Sequence, residues 1–569
     1  MKVKHILVII IICIAIFLRL YKLDSIPPGL SQDETSIGYN AYSLIKTGKD
    51  EHGVFFPQNF KAFGEYKLPG YIYLSTISIA ILGTTPLAVR LPSALFGTLT
   101  VLLIYFLVKE LFSGTKNYEL KTKNLPMTAM LLLAINPWHL HLSRGAFEVT
   151  VALFFITAGF LLWLIAQKRT SALCIGLSIT AFAFAGYTYN IARLLGPLSI
   201  LFLACTSYPT FKQFRLGSWI VIVLFGICSF APMLLGMIGQ GGLSSTSGTM
   251  IWSSAYVQAP LLEWRSYFSL WPILLTKIVF NKPLLTLGQF LHNFINFFSP
   301  SFFFTTGSLH GNHGIGTVGQ WYAFELLTIL MGLIYALKRK GPSIFLLFFW
   351  IVTTAIIVSL TRESPHGTRA FFIVIPGTIL SAIGFQYIFH IISSRRSVLL
   401  RYVCFTFAFF LCSWQVFNYF ASYYVRFPIM YAKPWRTADK ELALYLKEHE
   451  REYDRIFIDN QSGFIYTSLA YYFPLNPVQF QQNTIWNKED SEGFSFPQKI
   501  QKYEFRIINW SEDMQSPKTL IVTTGDKMPN NVALLKTFYY PQRPVVVAAG
   551  QQLYQYPTSD TAYVLVENK

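Results

Sequence analysis

The chain has 569 residues, of which 53% are hydrophobic, 17% aromatic and only 13% charged. This composition excludes an ordinary soluble enzyme, in which about a quarter of the residues are charged, and the apolar runs that recur along the chain indicate a polytopic membrane protein. The net charge of +18 favours cytoplasmic loop charge beside anionic lipid over nucleic-acid binding, because no soluble module has a basic cluster interleaved with aromatic residues.

The first apolar segment resembles a signal peptide in charge and length. It has no small-x-small cleavage site and ends in Arg19, so we expect a retained first span. The six cysteines all lie inside apolar runs, which indicates neither a disulfide framework nor a metal site. The apolar runs predict about eleven spans, at residues 5–20, 91–111, 126–141, 148–166, 171–188, 190–206, 216–238, 320–337, 342–360, 371–392 and 398–418.

The cations orient these spans. Lys and Arg cluster at alternate span ends, which the positive-inside rule places in the cytoplasm. The run 68–84 is then a juxtamembrane helix on the outer face, because a span there would invert every later loop. We therefore expect one outer side to hold the loop 21–90, the 144–148 and Tyr187 turns, the long loop 239–319, the loop 361–370 and the C-terminal segment.

The predicted architecture has two parts. Residues 1–420 form a helical membrane domain, and its long loop 239–319 contains aromatic-rich pieces typical of interfacial helices. Residues 421–569 predict a small extracytoplasmic α/β domain with one amphipathic helix, ADKELALYLKEHE. Its predicted strands are RIFIDN, TLIVTT, RPVVVAAG and TAYVLVE.

The first outer loop carries candidate catalytic residues. Asp33 and Glu34 form an acid pair in SQDET, which is also typical of a helix cap and first turn. Glu65 and Lys67 precede the juxtamembrane helix. Lys67 is either an interfacial anchor or a cation held by Glu65 for a lipid phosphate, and the residues alone favour neither.

Cations on the outer side violate the orientation rule and are therefore candidates. Arg90 begins a span there, although pairing with a carboxylate explains it equally well. Arg144 and Glu148 are four residues apart, so on one helix they would share a face as an ion pair or as part of a site.

The loop TRESPHGTR has the highest charge density of the outer loops. Arg362, His366 and Arg369 suit a phosphate, and the alternative is a solvated loop. His310 and His313 resemble a loose metal pair, but no carboxylate lies beside them in the sequence, so we expect no metal there.

Several of these stretches together resemble the GT-C glycosyltransferases that use polyprenyl-phosphate sugars, especially protein O-mannosyltransferases and the aminoarabinose transferases of lipid A. The resemblance covers about residues 5 to 420. It is carried by Asp33-Glu34, by EYKLPGYIYL, by AVRLPSALFGTLTVLLIYFLVKELF and by HLSRGAFEVTVALFF. The stretches GYTYNIARLLGPL, FSPSFFFTTG and ESPHGTRAFFIVIPG also resemble bacterial members. Two departures are Glu148, where the family usually has Asp, and Leu68, which interrupts a Pro-Pro pair.

The resemblance implies inverting transfer of a hexose or pentose from a polyprenyl phosphate to a protein, lipid or glycan acceptor, at the outer face of a bacterial plasma membrane. Asp33, from the acid pair with Glu34, would be the general base. The leaving phosphate would be bound by Lys67, Arg362, His366 and Arg369. Glu65, Arg90, Arg144, Glu148 and Tyr187 would orient these cations or bind the substrate.

Two other functions stay open. A transporter or flippase of a glycolipid usually places its ionisable groups at mid-membrane, whereas here they gather at one face. A non-catalytic scaffold would tolerate the loss of Asp33. We further expect metal-independent chemistry without a cofactor, and a C-terminal domain that selects the acceptor.

Overall fold

The computed structural model describes most of the chain. The described residues are 2–63, 65–113, 124–238, 249–308, 310–339, 341–459, 464–489, 495–529, 532–541, 543–549, 552–558 and 560–568. They form two compact units. The first unit comprises Met1–Tyr21, Ser93–Ser143 and Phe147–Tyr419, and the second comprises Lys22–Pro92, Arg144–Ala146 and Phe420–Lys569.

The first unit is helical, and every predicted span is helical over most of its length. Its helices are Lys2–Leu20, the greater part of Pro86–Phe112, Leu125–Ile135, Pro137–Leu142, Glu148–Arg169, Ala172–Thr188, Ala192–Thr206, Tyr208–Phe211, Leu216–Ile238, Ser254–Tyr267, Ile273–Val279, Lys282–Phe297, Ala323–Arg339, Pro342–Ser359, Val374–Ser393 and most of Val398–Ala421. The described residues of this unit also form a π-helical turn, Ser301–Thr305, and a 3-10 turn, Arg369–Ile373.

Six helices in the described part of the chain are long and apolar enough to cross a membrane. They are Pro86–Phe112, Glu148–Arg169, Leu216–Ile238, Pro342–Ser359, Arg369–Ser393 and Val398–Met430. Four further apolar helices have 10 to 17 residues. These helices make the protein an integral membrane protein, while the count of about eleven spans stays a prediction.

Glycine lets helices Ala323–Arg339 and Val374–Ser393 approach closely. A Cβ at Gly332 would lie 1.9 Å from the Leu380 carbonyl oxygen, and one at Gly384 would lie 1.8 Å from the Thr328 carbonyl oxygen. Small residues that bring backbones together are the usual packing device between membrane helices. Elsewhere the core is aromatic, as where the rings of Phe160 and Trp350 stack at 4.4 Å.

The described part of the predicted loop 239–319 is largely helical, and residues 239–248 and 309 lie outside it. Helix Lys282–Phe297 exposes a stripe of apolar side chains at Leu284, Leu287, Leu291 and Ile295. Its other face buries Asn293 and Phe297. This one-sided pattern is typical of an interfacial helix.

The second unit contains the first loop. Helix Gln32–Thr47 is followed by strands β1 (Phe60–Ala62) and β2 (Glu65–Lys67), which form an antiparallel hairpin. Helix Pro69–Leu82 comes next and has 14 residues; it lies within the run 68–84 that the sequence predicts as a helix. The helix beginning at Pro86 leaves this unit after Pro92.

The C-terminal residues of the second unit form a mixed sheet, as the four predicted strands and the amphipathic helix indicate. The further strands are β3 (Arg455–Asp459), β4 (Thr484–Trp486), β5 (Pro497–Ile500), β6 (Tyr503–Arg506), β7 (Thr519–Thr523), β8 (Lys536–Tyr539), β9 (Arg543–Ala549), β10 (Gln552–Thr558) and β11 (Thr561–Asn568). Seven of them follow the order β4-β5-β6-β3-β7-β11-β8, with β3 parallel to both neighbours. Strands β9 and β10 form a separate hairpin.

In the described residues, eight helical segments accompany these strands. They are the π-helix Ser422–Arg426, Phe427–Met430, Asp439–His449, the 3-10 helix Glu450–Glu452, Ile465–Tyr472, Pro477–Asn483, Trp510–Asp513 and the 3-10 helix Gly525–Lys527. Asp439–His449 is the predicted amphipathic helix, with Leu442, Ala443 and Leu446 buried.

Helix Gln32–Thr47 packs directly on the C-terminal residues. The hydroxyls of Thr35 and Thr467 are 2.8 Å apart. A Cβ at Gly38 would lie 2.4 Å from the ring of Tyr471, and the Tyr39 ring contacts Phe480 with centroids 5.0 Å apart. The sequence groups residues 21–90 with the membrane part, whereas in the structure they share a compact unit with residues 420–569.

Candidate active site

Asp33 and Lys67 form an ion pair in the second unit. Asp33 lies in the first turn of helix Gln32–Thr47 and its side chain is 54% exposed, while Lys67 ends strand β2 and is 11% exposed. The Lys67 ammonium also lies 5.6 Å from the centre of the Phe63 ring. The pair therefore presents an accessible carboxylate beside a mostly covered cation.

Glu34 has a different environment, although it is adjacent to Asp33. Ser31 and Glu34 form a capping box, in which each side chain accepts a hydrogen bond from the other's backbone N–H, at 3.3 and 2.9 Å. Arg90 Nε donates to Glu34 Oε1 at 2.8 Å, and the Ala146 N–H donates to the same oxygen at 3.0 Å. Glu34 is 3% exposed and both its oxygens accept hydrogen bonds, so of the two adjacent acids Asp33 is the accessible one.

Arg90 connects Glu34 to the segment before the helix. Its guanidinium is fully buried and donates to the carbonyl oxygens of Leu23 at 3.0 Å, Pro27 at 2.9 Å and Gly29. Gly29 has φ +67, and a Cβ there would lie 2.2 Å from the Trp435 carbonyl oxygen, so the close turn requires glycine. The structure thus gives Arg90 the carboxylate partner that the sequence left as one of two interpretations.

Arg144 and Glu148 do not share a helix face. Arg144 lies in the turn 143–146, and Glu148 is the first residue of helix Glu148–Arg169. The predicted shared face is therefore wrong, because the chain is not helical between them. Arg144 belongs to the second unit, where its Nε donates to the Tyr423 hydroxyl at 3.2 Å and Nη2 donates to the Ile26 carbonyl at 2.8 Å. Glu148 belongs to the first unit, at a helix N-terminus that favours negative charge.

Two other predicted site residues, Glu65 and Tyr187, lie outside the contacts described above. Glu65 begins strand β2, and its side chain is outside the described part of the structure, so its predicted role stays a prediction. Tyr187 donates from its hydroxyl to the Ser229 carbonyl at 3.0 Å, a contact between two helices of the first unit.

Three of the four predicted phosphate cations, Arg362, His366 and Arg369, lie in the first unit, whereas the fourth, Lys67, lies in the second. Residues 361–368 form a loop, called the 361–368 loop below. It follows helix Pro342–Ser359 and leads into the 3-10 turn that begins at Arg369. Arg362 Nη2 donates to the Ser253 hydroxyl at 3.0 Å, and Arg369 Nη1 donates to the Thr361 hydroxyl at 3.2 Å. Trp138 Nε1 donates to the Gly367 carbonyl at 2.7 Å and so fixes the loop to a buried ring.

Three histidine rings cluster at this loop. Ring centroids of His310 and His313 are 4.6 Å apart, and His366 lies 4.8 Å from His313. Burial, with the nearby charge of Arg369, holds the pKa of His366 well below its usual range. At neutral pH the His366 imidazole is therefore uncharged, and it would contact a phosphate as a hydrogen-bond donor and not as a cation.

Two cavities of the first unit meet the 361–368 loop and its neighbour Arg369. One, of about 560 Å³, is mostly apolar and is lined by Arg369, Arg193, Tyr189, Met237 and Trp252 among others. The other, of about 510 Å³, is lined by amide, hydroxyl and imidazole groups together with Arg362. Of the predicted phosphate cations, Arg369 therefore lines the apolar cavity, and Arg362 and His366 line the polar one.

Tyr189 and Arg193 were not among the predicted site residues. The Tyr189 hydroxyl donates to the Thr368 hydroxyl at 2.9 Å, and Arg193 Nε donates to the Gly186 carbonyl at 3.3 Å. The sequence offers a reason to consider Arg193, because it is a cation at the outer end of a predicted span, as Arg90 is. Tyr189 had no such signal, because its role depends on a loop almost 180 residues away.

Glu51 is a buried acid that the sequence did not single out. It is 1% exposed, and its backbone N–H donates to Asn40 Oδ1 at 3.0 Å. Burial, and then the neighbouring Asp50 carboxylate, raise the pKa of Glu51 to about 8, against a smaller opposing effect of Asn40 and Lys67. Burial, and then Lys61, lower the pKa of His52 to about 4. Both groups are then neutral near pH 7, so their 3.9 Å contact is not an ion pair.

In the described residues, no group of three His, Cys, Asp or Glu side chains is placed to hold a metal ion. Metal independence stays a prediction.

Comparison with known proteins identifies related sequences and folds. Residues 9–188 match the family model of dolichyl-phosphate-mannose-protein mannosyltransferases. A sequence search of curated proteins gave no match. The structure is similar to ArnT from Cupriavidus metallidurans bound to undecaprenyl phosphate, with TM-score 0.55 and 11% identity over 98% of this chain and 97% of ArnT.

A second solved structure is more distant. The archaeal oligosaccharyltransferase AglB from Archaeoglobus fulgidus, in complex with an inhibitory peptide and a dolichol-phosphate, gives a TM-score of 0.45 at 13% identity. The alignment covers 83% of this chain and only 64% of AglB. The family match and the ArnT-like fold confirm the resemblance to GT-C glycosyltransferases that use polyprenyl-phosphate sugars.

Replacing Arg90 tests its structural role. We expect Arg90→Lys to lower the free energy of unfolding by about 3–5 kcal/mol, because one ammonium cannot satisfy a buried carboxylate and three carbonyls together. Thermal unfolding in detergent measures the loss. Asp33→Asn is the control and should cost less than ~1 kcal/mol, because that pair is partly exposed. Equal melting temperatures for Arg90→Lys and wild type would contradict this role.

Glu51 predicts a pH dependence of stability. Below about pH 4.5 the folded and unfolded chains both hold the proton, and up to about pH 8 only the folded chain does. His52 has the opposite effect below about pH 6.5, because its pKa falls from 6.5 to about 4 on folding. Stability should therefore fall as pH rises from about 6.5 to 8, by at most ~1.4 kcal/mol per pH unit. We expect Glu51→Gln to flatten the melting temperature between about pH 6.5 and pH 8. Glu448→Gln, at an exposed position, should retain the wild-type slope, and the same slope in Glu51→Gln would refute the assignment.

Proposed function

We propose that the protein is an inverting glycosyltransferase that moves a hexose or pentose from a polyprenyl phosphate to an acceptor at the outer face of a bacterial plasma membrane. The observation that carries the proposal is the pairing of Asp33 with Lys67 beside the engaged Glu34. Of the two adjacent acids, one is accessible and held next to a cation, and the other is part of the scaffold. The mannosyltransferase family match includes all of these residues.

Asp33 is the proposed general base. As an acceptor hydroxyl oxygen attacks the anomeric carbon, Asp33 takes the hydroxyl proton, and the bond between that carbon and the phosphate oxygen breaks with inversion. The leaving group departs as polyprenyl phosphate and needs little acid catalysis. Lys67 holds the Asp33 carboxylate and supplies positive charge as the phosphate is released.

The apolar cavity of the first unit is the proposed site of the prenyl phosphate. Its walls are mainly apolar, which suits isoprene units, and it contains the guanidinium groups of Arg193 and Arg369. Arginine binds phosphate through paired N–H donors. The binding of undecaprenyl phosphate by ArnT, which has the same fold, supports this assignment.

A glycolipid transporter or flippase is the alternative function. It would move the donor or its product across the bilayer without breaking the sugar–phosphate bond. Release of polyprenyl phosphate in detergent, where no membrane separates two compartments, distinguishes transfer from transport. The same proposal includes a protein, lipid or glycan as the acceptor, and residues 421–569 as the part that selects it. It also includes chemistry that needs no metal ion. Activity that EDTA abolishes and a divalent ion restores would contradict this metal independence.

Asp33→Asn tests the proposed base. Purified protein is given a panel of polyprenyl-phosphate sugars, and polyprenyl phosphate release is measured. We expect release by wild type and a loss of about 10²–10⁴-fold in Asp33→Asn, with an unchanged melting temperature. Asp24→Asn, an exposed acid of the same unit, should release product at the wild-type rate. Equal rates for Asp33→Asn and wild type would exclude Asp33 as the base.

Arg369→Ala tests the prenyl-phosphate cavity in the same assay. A charge-assisted hydrogen bond contributes about 1.5–3 kcal/mol, so losing it should raise the KM for the donor roughly 10- to 100-fold. Arg369→Lys should retain part of the affinity because it keeps the charge. Arg396→Ala removes an exposed arginine of the same unit and should leave KM unchanged. A wild-type KM in Arg369→Ala would place the phosphate elsewhere.

A further inference from the structure

We infer that the polar cavity of the first unit, about 510 Å³ in volume, binds a saccharide. The inference rests on the proposed function, because it assigns the sugar part of that reaction to a particular set of residues. Neither the family match nor the fold comparison assigns a ligand to this cavity.

One wall of the cavity is the polar face of helix Lys282–Phe297. Gln289, His292 and Asn296 lie on it at helical spacing, opposite the exposed apolar stripe of the same helix. Asn293 is 2% exposed, and its Nδ2 donates to the carbonyls of Ser359 at 3.2 Å and Thr361 at 2.8 Å. This buried amide anchors the polar face beside the 361–368 loop, so the wall is fixed in place.

Hydroxyl groups that line the rest of the cavity are also held by hydrogen bonds. The hydroxyls of Ser301 and Thr306 are 2.9 Å apart across the π-helical turn, and the Ser364 hydroxyl donates to the Asn293 carbonyl at 3.0 Å. Phe302 contributes a ring to the lining. Arg362 Nε is buried without a hydrogen-bond partner among the described residues, so a donor remains to be satisfied beside the cavity.

The chemistry of the lining favours a sugar over an anion or a lipid. Amide and hydroxyl groups both donate and accept hydrogen bonds, as sugar hydroxyls do. The lining contains both charges, because it includes the Arg362 guanidinium and the Glu363 carboxylate. The His366 imidazole is 3.7 Å from that carboxylate. An anion site would not include that carboxylate, and a prenyl chain would not be matched by amides.

The two cavities match the two chemically different parts of a polyprenyl-phosphate sugar, the apolar chain and the hydroxylated sugar ring. Thr361 and Arg369 line the apolar cavity, and residues 362–366, which lie between them in the chain, line the polar one. In the donor the phosphate likewise separates an apolar chain from a hydroxylated ring. The saccharide in the polar cavity is therefore either the donor sugar or a sugar of a glycan acceptor.

Saturation-transfer NMR tests the cavity without requiring turnover. The probes are methyl hexosides and methyl pentosides, each added to the detergent-solubilised full-length protein. We expect transfer to at least one probe with wild type, and a threefold to tenfold weaker affinity with Asn296→Ala and with Gln289→Ala, the range for one lost hydrogen bond. Gln213→Ala removes an exposed amide of the same unit and should bind as wild type does.

The release assay then identifies the source of the sugar. If Asn296→Ala raises the KM for a polyprenyl-phosphate sugar but not the inhibition constant of bare polyprenyl phosphate, the cavity binds the donor sugar. If only the KM for an oligosaccharide acceptor rises, it binds the acceptor. Saccharide binding by a protein that releases no polyprenyl phosphate would contradict the proposed function and support the assignment of the cavity to a saccharide. No transfer to any probe, or equal affinity in wild type and both cavity variants, would overturn the cavity assignment even if release is normal.

Discussion

The buried ion pair of Arg90 and Glu34 is the interaction on which the second unit depends. Removing both charges from water is costly, and mutual attraction offsets that cost only where the remaining donors and acceptors are satisfied. Here they are satisfied by three carbonyl oxygens on the arginine side and two backbone N–H groups on the glutamate side. The pair therefore determines the path of the chain before helix Gln32–Thr47 and connects it to Ala146.

This scaffold explains how two adjacent acids acquire different roles. Successive residues on a helix point about 100° apart, so when Glu34 points inward to Arg90, Asp33 points to the helix side that faces Lys67. Burial holds Glu34 in place, and exposure leaves Asp33 accessible, as the proposed reaction requires of its base. The division of labour follows from helix geometry and requires no difference in side-chain chemistry.

Much of this arrangement was predictable from local sequence. Apolar runs indicate the helices, short runs separated by turn residues indicate four strands, and SQDET indicates a capped helix with its acids in the first turn. The carbonyl partners of Arg90 were not predictable, because they depend on a turn closed by Gly29. The predicted shared face of Arg144 and Glu148 is wrong because residues four apart share a face only on a continuous helix. Glu51 escaped notice because burial by distant segments, and no local pattern, changes its pKa.

The C-terminal residues were predicted as a separate domain, and their packing changes how their role can be tested. Thr467, Tyr471 and Phe480 cover the helix that carries Asp33. Removing residues 425–569 would expose that buried face and would also remove Trp435, whose backbone meets Gly29. Loss of activity after such a truncation would report the collapse of this helix, whatever the acceptor. Acceptor selection by these residues can therefore be judged only from substitutions at exposed positions that leave the packing of helix Gln32–Thr47 intact.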